Sequence, residues 1–144
     1  MVVIRRPELT EHGIVRALVQ TVVNEIYGHL CASPPLAIDE ENWGLAWIAI
    51  WDESIVGIVL THREWISDLW VLPSARQQGI RGKLLAQGEA EIRDRGYRTL
   101  HLRVVKSNTA AIRFYQRHGW QVKREFAHEN LPTTMLEMSK DVYR

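Results

Sequence analysis

The apolar positions of the chain change period several times, and each change marks an element. Val2 to Arg5 is a short strand-like run. Thr10 then has the side chain of a helix N-cap with Glu11 in the first turn, and Ile14, Leu18, Val22 and Ile26 recur every four residues as the stripe of an amphipathic helix. Gly28, Pro34 and Pro35 break any long element between Tyr27 and Asn42. Two strand-like runs, Gly44 to Trp51 and Ser54 to Thr61, are joined by Asp52 and Glu53, which predicts a hairpin. A third strand runs from Glu64 to Val71 and stops before Pro73, which cannot donate to a sheet. Ile80, Leu84, Leu85 and Ile92 fall on one face of a second helix that ends near Arg95 and Gly96. Thr99 to Val105 reads as a strand and Asn108 to His118 as a helix with Gly119 as its left-handed cap; Trp120 to Ala127 and Thr134 to Lys140 close the sheet. This order predicts a single α+β domain over residues 1–144, a mixed and mostly antiparallel sheet with helices on both faces.

Chemistry concentrates between the third strand and the second helix. Arg76, Gln77, Gln78, Gly79, Ile80, Arg81, Gly82 and Lys83 form a basic, glycine-bearing turn that feeds a helix N-terminus. Free amides from Gln78 to Lys83, the positive end of the helix dipole and the charges of Arg76, Arg81 and Lys83 converge on one place, which suits phosphate. Gly79 lets the backbone approach a ligand with no Cβ in the way. The turn is not a Walker loop, because no second glycine is followed by Lys and Ser or Thr, and not a dinucleotide fingerprint, which needs three glycines at fixed offsets.

A second stretch narrows the reading. Val71, Pro73, Arg76, Gly79, Ile80, Leu84 and Leu85, followed about thirty residues on by Asn108, Ala111, Ile112, Phe114, Tyr115, Gly119 and Trp120, resemble two successive motifs of the GNAT superfamily of acyl-CoA-dependent N-acetyltransferases. The resemblance spans Ile48 to Lys140. It implies acetyl-CoA as co-substrate and an amine as acceptor. It also implies that the strands Glu64 to Val71 and Thr99 to Val105 splay apart so that the pantetheine arm can pair with their edges. One departure stands out: where the family usually has a small residue two positions after Gly79, this chain has Arg81, expected to point outward and add charge to the phosphate site.

Within that resemblance, the amide of Val71 or of a neighbour such as Leu69 serves the thioester carbonyl, and Asn108 serves the pantetheine amides while capping its helix. Tyr115, seven positions after Asn108, lies two helical turns on and can face the same cleft. A phenol of pKa ~10 cannot easily protonate a thiolate of pKa ~8.5, so hydrogen bonding to the departing sulfur is its expected role. Many family members place a glutamate where this chain has Trp65. Glu64 and Asp68, four apart on one face of an ideal strand, are the carboxylates that remain to act through water as base. At pH 7 an α-amine is neutral in about one molecule in seven and a lysine in about one in 2,500, so a site without a strong base favours a weakly basic amine. The competing reading is an acyl-CoA-binding sensor or partner module without turnover.

Composition sets outer limits. A net charge of +1 over 144 residues gives no reason to expect a nucleic-acid partner. The densest apolar run, Leu45 to Trp51, is too short to span a bilayer, and no signal peptide is visible, so a soluble cytoplasmic protein without a membrane partner is expected. The single cysteine, Cys31, excludes an internal disulfide, and the six histidines show no paired ligand spacing, so no metal is expected. Most of the six tryptophans are expected in the core; Trp65 and Trp70 stand beside the presumed cleft, where they could line an aromatic or cationic acceptor site. The exposed edge of the final hairpin makes a homodimer plausible.

Overall fold

The computed structural model describes residues 1–28, 40–76 and 78–142. Gln77, Cys31 and most of the stretch between Tyr27 and Asn42 lie outside the described residues. Seven strands, β1 (Val2–Arg5), β2 (Trp47–Trp51), β3 (Ser54–His62), β4 (Trp65–Val71), β5 (Thr99–Val105), β6 (Gln121–Ala127) and β7 (Thr134–Asp141), form one sheet in the order β1-β2-β3-β4-β5-β7-β6. Every pairing is antiparallel except β4 with β5. Three helices, α1 (His12–Tyr27), α2 (Ile80–Asp94) and α3 (Thr109–Arg117), cover it.

Alternation along the strands divides the core in two. Ile48, Ile58 and Leu60 pack under Val15, Leu18, Val19 and Val22 of α1. Their neighbours Ala49 and Val59 point the other way, to a cluster with Leu84, Leu85 and Ile92 of α2 and with Ala111 and Phe114 of α3. Helix α2 sits unusually close to the sheet. A Cβ on Gly57 of β3 would come within 2.8 Å of Leu84 and 3.2 Å of the Trp70 carbonyl oxygen, and one on Gly88 of α2 within 3.0 Å of Val59. The hairpin between β2 and β3 turns on Asp52 and Glu53, both left-handed at φ 53° and 64°, the pair of conformations a two-residue type I′ turn needs.

Two expectations for α1 are corrected. Thr10 does not cap it. Residues Leu9–Glu11 make a 3-10 turn instead, because the Glu11 carboxylate is drawn back to the Glu8 amide at 2.8 Å and to both terminal nitrogens of Arg5 at 2.8 and 2.9 Å. The buried stripe is also rotated: Val15, Leu18, Val19, Val22 and Val23 face the sheet, and Ile14 is 55% exposed.

The feature that makes room for chemistry lies between β4 and β5. In β4 the register against β3 slips, Leu60 facing Asp68 and Thr61 facing Ile66, so Ser67 is the extra residue of a bulge. Pairing of β4 with β5 is confined to Trp65 opposite His101, with the His101 amide donating to the Glu64 carbonyl at 3.0 Å. Beyond that point the two strands diverge, as the resemblance implies, and the two halves of the sheet are held together mainly by what packs across them. One such tie is Glu89 of α2, which accepts from the Trp120 indole and from Lys140 of β7, both at 2.9 Å. Among the described residues no helix is long and apolar enough to cross a membrane.

Candidate functional site

The splay opens into a cleft of about 860 Å³. Its walls are Leu69 and Val71 of β4, Val104 and Val105 of β5, the N-terminal turn of α2, and Asn108, Phe114 and Tyr115 at α3. Among the described residues, five cationic ones, Arg76, Arg81, Lys83, Arg103 and Arg117, line it and no carboxylate does. Such a wall attracts a ligand carrying several negative charges.

Gly79 sits before α2 with φ 75°, a left-handed conformation that permits the chain to enter the helix at this angle. The amides available to a ligand are fewer than the sequence suggests. Lys83 already donates to the Gly79 carbonyl at 3.2 Å, which leaves Ile80, Arg81 and Gly82 as the amides of the first turn without an intrahelical acceptor. The Ile80 side chain turns away into the core, at 1% exposure, while Gly79, Arg81, Gly82 and Lys83 line the cleft. Gln78 is exposed and outside the lining.

Two arginines have duties other than those expected. Arg76 is held bidentately by Glu25 of α1, at 2.9 and 2.5 Å, and its Nε donates to the Val71 carbonyl at 3.2 Å, so it braces the turn against α1 and against the end of β4. Arg81 does not point outward. Its guanidinium lies 4.2 Å from the centre of the Phe114 ring, where burial holds its pKa below the ordinary value and the charge acts on Tyr115. A planar cation gains from an aromatic face what it loses in hydration, which is why a long side chain at this helical position folds inward.

Tyr115 is 8% exposed, packed edge-on against Phe114 and Trp120 at 5.3 and 6.1 Å. Burial pushes its phenol up to about 12, with Arg81 pulling in the opposite direction, so the group stays a neutral donor at any physiological pH. The Asn108 side-chain oxygen accepts from the Ala111 amide at 3.3 Å, capping α3, and its amide nitrogen is a further donor on the cleft wall.

Neither carboxylate proposed from sequence lines the cleft. The bulge at Ser67 breaks the alternation that would have put Glu64 and Asp68 on one face. Glu64 lies 3.8 Å from Arg63, and Asp68 accepts from the Trp70 indole at 2.8 Å. Trp70 borders the cleft, whereas Trp65 stacks on His101 at 5.0 Å and lines a separate pocket of about 450 Å³ with Arg103, Arg124, Phe126 and Glu129.

Sequence reasoning missed several wall residues. His118 closes α3 with its Nδ1 2.8 Å from the Phe114 carbonyl, and its Nε2 would stand 3.6 Å from a Cβ on Gly82. Arg103 and Arg117 border the cleft from β5 and α3. A count of i+3 and i+4 positions after Phe114 could have flagged Arg117 and His118; nothing local could have flagged Arg103, whose place depends on the splay.

A profile described as the Acetyltransferase (GNAT) family matches residues 17–120. Among solved structures, a ribosomal-protein-alanine N-acetyltransferase from Brucella melitensis superposes with a TM-score of 0.80 at 17% identity, over 97% of this chain and 99% of that one. Ard1 from Thermoplasma volcanium gives 0.79 at 20% identity over 99% of each chain. The PaiA N-acetyltransferase from Thermoplasma acidophilum, solved in complex with coenzyme A, gives 0.76 at 15% identity over 99% of each. Comparison with curated protein sequences finds no match.

Proposed function

Because the chain belongs to the GNAT family of acetyltransferases, we propose that it transfers an acetyl group from acetyl-CoA to a primary amine on a small molecule or a peptide N-terminus, by direct attack. The observation that carries this reading is the cleft itself, where first-turn amides, the cations Arg81, Lys83 and Arg117 and an unpaired strand edge converge and, among the described residues, no carboxylate lines the wall. The pyrophosphate would lie at Ile80, Arg81 and Gly82 with Lys83 and Arg117 nearby, and the pantetheine between the separated edges of β4 and β5 beside Asn108. Acetyl-CoA supplies the activated acyl group. The amine forms its bond to the acyl carbon as the carbon–sulfur bond breaks, and the sulfur leaves as thiolate.

Tyr115, held neutral by burial, donates a hydrogen bond to that sulfur. A backbone amide of β4 near Leu69 or Val71 stabilises the carbonyl oxygen as charge builds on it. With Glu64 and Asp68 away from the cleft, the proton of the attacking amine passes to water rather than to either of these carboxylates. That arrangement suits an amine with an appreciable neutral fraction at pH 7, such as an α-amine at about one molecule in seven, better than a lysine.

Calorimetric titration of acetyl-CoA into the wild type and into Gly79→Glu tests the cofactor site. Saturable binding lost in the variant is expected, with the variant's fold checked by circular dichroism because a side chain at φ 75° costs about 1–2 kcal/mol. Thiol release across an amine panel then tests transfer, and Tyr115→Phe should lower kcat about a hundredfold. Binding without amine-dependent release would instead favour a sensor module.

A further inference from the structure

The second pocket and the cofactor cleft share one wall residue, Arg103. Side chains of β5 alternate, Leu102 and Val104 joining the core under α2 and α3, so Arg103 projects to the opposite face of the sheet, the face that α1 covers. Across the strands Arg103 pairs with Glu137 of β7, and Glu137 pairs with Arg124 of β6, which sets the three side chains in one row. Both guanidiniums stack on Phe126, at 4.7 and 4.5 Å from the ring centre. The aromatic surface is therefore already serving internal cations, and the pocket is not a box for an ammonium group. It opposes the cationic acceptor expected from Trp65 and Trp70.

The two arginines differ in the exposure of the carboxylate each holds. Arg124 gives Nε to Glu137 at 3.0 Å, a carboxylate only 16% exposed and part of the sheet. Arg103 holds Glu129 at 2.8 and 2.9 Å, and that glutamate is 59% exposed in the connection between β6 and β7. An exposed ion pair of this kind contributes little to stability and is readily exchanged.

We infer that this pocket receives the acceptor, and that the acceptor carries a carboxylate close to its reactive amine, which takes the place of Glu129 on Arg103 with Arg124 alongside. The inference specifies the substrate of the transfer proposed above and rests on that reading. Amines flanked by further positive charge meet two guanidiniums and are disfavoured. Glu129 occupies the anion site in the absence of substrate, so its removal sharpens selection instead of abolishing it.

The test is thiol release from acetyl-CoA with Asp-Ala, Asn-Ala and Lys-Ala amides, whose α-amines are alike and whose first side chains differ in charge. The wild type should show a kcat/KM for the Asp peptide about tenfold above that for Asn, and lower again for Lys. Arg124→Gln should lower the Asp-over-Asn ratio through KM, Arg124→Lys should restore part of it, and Glu129→Gln should increase it. Calorimetric titration of the Asp and Asn peptides into the CoA-saturated protein gives the same ratio as a binding constant without turnover. Release with no preference for Asp, or a ratio unmoved by Arg124→Gln, would overturn this inference alone. No release from these peptides would overturn this inference, and no release from the wider amine panel either, despite acetyl-CoA binding, would overturn the transferase reading with it.

Discussion

Tyr115 carries a titration that separates the folded from the unfolded chain. Its pKa is raised by burial to about 12, whereas an exposed tyrosine ionises near 10. The folded state therefore keeps the proton that the unfolded state loses, so the contribution is complete below pH 10 and is lost as pH rises toward 12. The shift corresponds to about 3 kcal/mol across that interval. Melting temperature followed from pH 9 to 12 should fall less steeply in Tyr115→Phe than in the wild type, and parallel slopes would mean that the phenol ionises in the folded protein without strain. The place of Tyr115 on the same cleft wall as Asn108 was legible in the sequence, because residues seven apart on a helix share a face whatever surrounds them. The inward fold of Arg81 was not, since it depends on the ring of Phe114 lying 4.2 Å away, on a helix that packs from elsewhere in the chain.

At the scale of elements, helix α2 aims its amides by lying close on the sheet, and Gly57 makes that approach possible. A methyl group there would meet Leu84, which can move, and the Trp70 carbonyl at 3.2 Å, which cannot. Gly57→Ala should destabilise the fold by about 1–3 kcal/mol in urea titration. It should also weaken acetyl-CoA binding, because the first turn of α2 would shift from the cleft. Unchanged affinity would separate helix position from amide presentation. Element types and most boundaries followed from periodicity, and the β2–β3 turn was correctly placed between Asp52 and Glu53. The start of α1 was misread because Thr10 has the chemistry of a cap but Glu11 finds Arg5, a contact between a strand and a turn that no local propensity encodes.

For the whole molecule, the splay that makes the cleft also weakens the connection between its two halves. With β4 and β5 paired at one position, Glu89 in α2, bound to Trp120 and Lys140, becomes a tie between the helix and the β5–β7–β6 half. Glu89→Leu leaves an indole donor and a half-buried ammonium unpaired, which should cost about 2–4 kcal/mol. If the tie couples the halves, urea unfolding of the variant should also show a lower m-value, as β5–β7–β6 begins to open first. The order of strands and helices, the glycine-bearing basic turn and the Asn108 to Trp120 motif were determined by the sequence alone, because each is a local pattern of side-chain spacing or backbone freedom. Three things waited for the tertiary structure: the bulge at Ser67 that separates Glu64 from Asp68, the clamp of Glu25 on Arg76, and the row of Arg103, Glu137 and Arg124. Each joins residues from elements distant in the chain or turns on strand register, and register is decided by how whole strands pack rather than by any one residue's preference.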